Sequence, residues 1–164
     1  MFISRWTTEY IDHEDRLQIS GEDESGQIQR IWVTRRLLER LLPLLTGWIE
    51  ERFEGRPHGA ALLQWEQAAA GASLANNPTP PVVAKQDGWL VHSVDVNRGP
   101  ENIELLFKEG AREPFGLKLP PQAMRQWLAV VHGQVERAQW GLPVWPDWIG
   151  GAHSATDAQK AHLH

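Results

Sequence analysis

The chain has no cysteine, a single tyrosine and two methionines in 164 residues. Without cysteine there are no disulfides, thiolate nucleophiles or thiolate metal sites. The case for an oxidising compartment that a disulfide framework would make is also absent. Long apolar runs are missing too. The most hydrophobic window, Leu41 to Ile49, is too short to span a bilayer and is interrupted by Pro43 and Gly47. The opening Met1-Phe-Ile-Ser-Arg-Trp-Thr-Thr-Glu-Tyr10 has no basic start followed by an apolar stretch, so no signal peptide is expected and a cytoplasmic location is the default.

Positive charge is in short supply as well. The formal net charge is −5. Residues 1–24 account for all of it, with seven acids against Arg5 and Arg16, and the remaining residues balance. A general nucleic-acid binder normally shows a basic excess or stripe. This chain shows neither.

Catalytic patterns are likewise absent. The seven histidines are too scattered for zinc-ligand spacing. No nucleophile elbow, glycine-rich phosphate loop or calcium-binding loop occurs. His92-Ser93-Val94-Asp95 contains the residue types of a triad, but strand alternation sends His92 and Asp95 to opposite faces. No catalytic residue, metal or cofactor is expected.

Tryptophan is what the chain has in excess. It holds nine, where an average protein of this length would carry roughly two or three. Six of them, Trp6, Trp32, Trp48, Trp65, Trp89 and Trp127, fall within periodic segments and are expected in the core. The other three bracket a proline-containing stretch, Trp140-Gly-Leu-Pro-Val-Trp145-Pro-Asp-Trp148. Left exposed, these three would form an apolar patch unusual for a soluble protein. They must therefore fold back on their own domain or dock on a second subunit, and a symmetric homodimer is the expectation.

Period-two alternation predicts strands at Phe2–Ile11, around Leu17 and Ile19, and at Ile28–Val33. At Thr34, a suitable N-cap, the period changes. Leu37, Leu38, Leu41, Leu42, Leu45, Trp48, Ile49 and Phe53 lie on one helical face, with Pro43 expected to kink or divide the helix and Gly55-Arg56-Pro57 to end it. An alanine-rich helix with Leu62, Trp65 and Ala69 on its apolar face completes an αα-hairpin, and Gly71–Pro81 reads as a linker. Val82–Lys85 and Trp89–Val96, joined through Asp87-Gly88, predict a β-hairpin. Strands at Ile103–Phe107 and Phe115–Leu119 follow. A final helix from Pro121 carries Met124, Trp127, Leu128, Val131 and Val135, and Gly141 is expected to stop it.

These elements predict an α+β fold: an antiparallel sheet or small β-sandwich with an inserted αα-hairpin and a C-terminal helix. One domain is expected over residues 1–149, followed by a flexible polar tail over 150–164. Ile3, Trp32, Leu38, Leu41, Leu45, Leu105, Phe107, Leu117, Leu128 and Val131 are the expected core.

Arg30, Arg35, Arg36 and Arg40 form a basic cluster, and the last three fall in the first two turns of the first helix, at the end of the macrodipole that disfavours cations. Salt bridges to the acidic segment Asp12–Glu24 would explain them, and so would an anionic ligand or acidic partner. Arg35, Arg36 and Arg40, with Trp140, Trp145 and Trp148, are the candidate binding residues.

The runs Trp32-Val-Thr-Arg-Arg-Leu-Leu-Glu-Arg-Leu-Leu-Pro-Leu-Leu and Met124-Arg-Gln-Trp-Leu-Ala-Val-Val-His-Gly-Gln-Val-Glu-Arg-Ala-Gln-Trp140 resemble those of small uncharacterised bacterial proteins. That resemblance implies no activity. The order of strands, helical hairpin, strands and closing helix is similar to the head domains of the DNA end-joining scaffold and centriolar cartwheel superfamily. The long coiled coil that follows those heads is missing here. The leading expectation is a non-catalytic protein-interaction or scaffold module whose partner is itself or another protein, with no membrane association. The alternatives are an enzyme or small-ligand binder whose site is assembled from separate strands, and a nucleic-acid-associated scaffold using Arg35, Arg36 and Arg40.

Overall fold

Alternation after Met1 and the helical periods after Thr34 and Pro120 set the architecture of the computed structural model, which describes residues 1–150. Strands β1 (Arg5–Ile11), β2 (Arg16–Glu22) and β3 (Ile28–Val33) form an antiparallel meander. Helices α1 (Arg35–Glu51) and α2 (Gly59–Asn76) follow. A two-residue strand β4 (Trp89–Leu90) pairs parallel to β3 and completes a four-stranded sheet in the order β1-β2-β3-β4. Strands β5 (Ser93–Arg98), β6 (Ile103–Lys108) and β7 (Phe115–Leu119) make a second antiparallel sheet, and α3 (Pro121–Ala138) closes the order. The fold is α+β, and the tail expected over 150–164 lies outside the described residues beyond Gly150.

The two sheets are stitched at two corners. Residues 1–3 pair with β7, with Ile3 N–H donating to the Gly116 carbonyl and Gly116 N–H to that of Met1. The chain then shifts to β2, where Ser4 N–H donates to the Glu22 carbonyl. At the other corner Val91 N–H bonds to the Trp32 carbonyl of the first sheet, and His92 N–H to the Lys108 carbonyl of the second. Strands that switch sheets at bends bring two sheet faces onto one core. Gly21 permits the close approach: a Cβ there would lie 2.6 Å from the Phe115 ring and 2.7 Å from Ile3 Cγ2.

One cluster of buried side chains joins both sheets to α1 and α3, including Ile19, Ile31, Leu42, Leu45, Phe107, Leu117, Leu128 and Val131. Thr34 caps α1 as expected, its hydroxyl accepting from Leu37 N–H at 3.2 Å. Pro43 does not divide α1. It sits on the exposed side, so the carbonyl it leaves unpaired one turn back can be solvated. The helix ends at Glu51, short of Gly55. At its far end α3 stops at Ala138, with Gln139 rather than Gly141 taking the left-handed cap at φ 56°.

Several expectations are corrected. The second helix runs to Asn76, into the supposed linker, because Ala72, Leu74 and Ala75 favour helix. Its buried face is Leu63, Gln67 and Ala70, and Trp65 stands 69% exposed. An alanine-rich helix is apolar all round, so its periodicity does not choose a face. Trp6 and Trp32 are only half-buried, while Trp48, Trp89 and Trp127 are in the core.

The hairpin through Asp87-Gly88 does not form. Residues 82–85 run extended across the outer face of the four-stranded sheet without joining a ladder. Val82 and Ala84 are buried and Val83 is exposed, which produced the strand-like alternation. Thr7 Oγ1 accepts from Val82 N–H at 2.8 Å, and Arg30 donates to the Ala84 carbonyl. Gly88 serves a close approach here: a Cβ would meet Trp32 Nε1 at 2.7 Å and Arg30 Cγ at 2.8 Å.

Candidate interaction surfaces

Arg35, Arg36 and Arg40 are exposed on the first turns of α1, and none makes an ion pair among the described residues. The expected salt bridges to Asp12–Glu24 do not form among the described residues, and four of those acids, Glu14, Asp15, Glu22 and Asp23, have other partners. Glu22 pairs with Arg5, and Glu14 lies 3.8 Å from Arg16. Asp23 accepts from Ser25 and Gln27 within its own loop, and these bonds hold its carboxyl below the ordinary range. Asp15, in a left-handed conformation at the β1–β2 corner, accepts from Trp140 Nε1 and Tyr10 Oη, each at 2.8 Å. Those two bonds, with a smaller pull from Arg35, hold the Asp15 carboxyl below its usual value. The same contact pushes the Tyr10 phenol up.

The three tail tryptophans pack on their own chain. Trp140 is buried against the edge of Tyr10, with centroids 5.7 Å apart. Trp145 meets His132 edge-on at 4.8 Å. Trp148 donates to Glu50 Oε1 at 2.9 Å and lies 5.6 Å from the Arg125 guanidinium carbon. The segment thus ties α3 to the β1–β2 corner and to the C-terminal half of α1. Burial of these rings makes no demand for a second subunit.

Arg125 was missed by sequence reasoning. It is 3% exposed, donates to the Leu63 carbonyl at 3.2 Å and to Gln67 Oε1 at 3.4 Å, and pairs with Glu66 at 3.3 Å. Its guanidinium also lies 5.3 Å from the Phe53 ring, and Gln67 Nε2 returns a bond to the Arg125 carbonyl at 2.9 Å. Burial lowers its pKa, and Glu66 opposes that shift. The only sequence signal was its position beside Met124 and three residues before Leu128, on the margin of the α3 apolar stripe.

Among the described residues, neither His92 nor His132 is grouped with a carboxylate and a nucleophile in a catalytic arrangement. His92 is exposed, and Asp95 pairs with Lys108 at 2.6 Å. His132 is buried beside Glu136, at the wall of a cleft of about 170 Å³ whose lining includes Gln64, Gln67 and Trp148 and, among the described residues, no carboxylate. Among the described residues, no three His, Asp or Glu side chains are grouped to hold a metal ion. None of the described helices is long and apolar enough to cross a membrane.

The outer face of α2 differs from every other exposed helix surface. Ala60, Ala61, Trp65, Ala68, Ala69 and Ala72 are exposed along it, with Gln64 between them and no charged residue among these positions. Elsewhere exposed tryptophan is absent among the described residues. Small side chains flank a large ring held out into solvent. No family model, curated protein or solved structure matches this chain.

Proposed function

We propose that the protein is a non-catalytic interaction module that presents the α2 face to a protein partner. The observation that carries this reading is Trp65, 69% exposed at the centre of an uncharged alanine surface. A contiguous exposed apolar patch on a soluble domain marks an interaction site. Tryptophan is also the residue type most enriched among interface hot spots, because one rigid ring desolvates a large area. The lack of charge on this face suits a second copy of the chain as well as a different protein, since like faces meet without repulsion.

Trp65→Asp tests the proposal. The side chain makes no hydrogen bond or ring contact among the described residues, so unfolding free energy should change by no more than about 0.5 kcal/mol. The substitution should abolish association, read as a dimer by light scattering or as retention of a host protein on the immobilised chain. Association that survives unchanged in both assays would remove the α2 face from the function.

A further inference from the structure

The geometry points to a second, independent binding site: the outer edge of β1, which takes an extended peptide as an added strand in the groove between β1 and α3. Strand β1 is an edge of the four-stranded sheet. Its Tyr10 N–H is bonded at 2.8 Å to Gln134 Oε1 of α3, away from β2. In an antiparallel pair, alternate residues turn their backbone groups out of the ladder. Trp6 and Thr8 share the parity of Tyr10, so their N–H and C=O groups also point outward. No described residue bonds to them from that side.

Beside this stretch lies a groove of about 460 Å³. All five residues from Ser4 to Thr8 line it. Neighbouring side chains on a strand point to opposite faces, so a groove touched by five in a row is lined by the backbone edge itself. Its far wall is the Ala123, Trp127 and Val130 face of α3, and Leu74 at the end of α2 closes one side. The floor is fixed by the bond from Trp127 Nε1 to Thr8 Oγ1 at 2.9 Å. Five edge residues span ~13 Å of extended chain.

The lining also states what the peptide must be. Arg5 is its one charged residue, and Arg5 already pairs with Glu22 and donates to the Pro80 carbonyl at 2.9 Å. A charge entering the groove would lose water and find no counter-charge. Gln126 and Trp6, both half-buried, line the same groove, and neither side chain makes a hydrogen bond among the described residues. The occupant is therefore an extended peptide, uncharged through its central residues. It bonds through its backbone to Trp6 and Thr8 and sets alternate apolar side chains against Trp127 and Val130. This is recognition by strand addition, in which main-chain bonds give affinity and alternate side chains give specificity.

The test starts with the full chain free in solution. Backbone hydrogen exchange at Trp6 and Thr8 should be fast, while Thr7, Glu9 and Tyr10 are protected. A random dodecapeptide library displayed on phage is then panned on the chain, and the recovered peptides are synthesised. They should carry uncharged, β-branched or apolar residues at alternate central positions, and should protect the Trp6 and Thr8 amides. N-methylation of alternate peptide amides should weaken binding by about tenfold or more. Ala123→Arg, which fills the groove wall, should do the same, and Gln126→Glu gives a second, isosteric probe should that variant not fold. Trp65→Asp should leave peptide binding unchanged, which separates this site from the α2 face. Failure to recover any peptide overturns the proposal, as does recovery only of peptides indifferent to N-methylation and to both groove substitutions.

Discussion

Replacing Arg125 tests whether a buried cation holds the α2–α3 interface together. Arg125→Met keeps much of the volume but removes the guanidinium. Gln67, 6% exposed, then loses the donor to its side-chain oxygen. An orphaned buried acceptor costs about 1–3 kcal/mol. Two ring contacts, with Phe53 and Trp148, are lost as well, each worth about 0.5–2 kcal/mol. The pair with Glu66 adds little, because that carboxylate is 41% exposed and water reclaims it. Against these losses, methionine avoids the several kcal/mol of desolvation that a buried guanidinium costs. The expected net destabilisation is about 1–3 kcal/mol. Arg125→Ala, which also leaves a cavity, should cost about 3–5 kcal/mol.

Urea unfolding followed by tryptophan fluorescence measures this as a fall in midpoint at unchanged slope. Gln67→Leu with Arg125→Met removes both polar partners and should recover at least about 1 kcal/mol relative to the sum of the single variants. Single variants that add within about 0.3 kcal/mol would show that Arg125 and Gln67 do not act as a unit.

Two further outcomes test the packing and the pH response. Gly21→Ala drives a methyl group against Phe115 and Ile3 where the sheets approach, and should destabilise by about 1–3 kcal/mol in urea; a neutral result would mean the sheets have room to separate. Asp15 has a folded pKa below its unfolded value, so its contribution is fully present above about pH 4 and is lost as pH falls through the folded value. The stability gap between wild type and Asp15→Asn should therefore be wide at about pH 7 and shrink toward about pH 3, and a gap of constant size would show that the Trp140 and Tyr10 bonds do not depend on the carboxylate charge.

Periodicity alone determined most of the element types, most of the core and the α+β class. Leu38, Leu41 and Leu45 recur at helical spacing, and Ile103, Leu105 and Phe107 alternate, because each element must present one apolar side to a common interior. Thr34 marked the start of α1 through a local bond that no tertiary contact is needed to explain.

Tertiary structure decided everything that depends on which apolar side meets what. The periodicity places Trp65 in the core because a helix rich in alanine has no distinctive face, and only the packing of Leu63, Gln67 and Ala70 against α3 turns the ring outward. Val82–Lys85 alternates like a strand because it crosses the face of a sheet, a contact with the same period as a ladder. Asp15 was one acid among many until the chain returned Trp140 to it from 125 residues away. The edge of β1 was likewise invisible, since no local pattern says whether a strand will find a neighbour on both sides. Local sequence fixes a residue's periodicity, whereas pairing, facing and burial are long-range properties of the assembled chain.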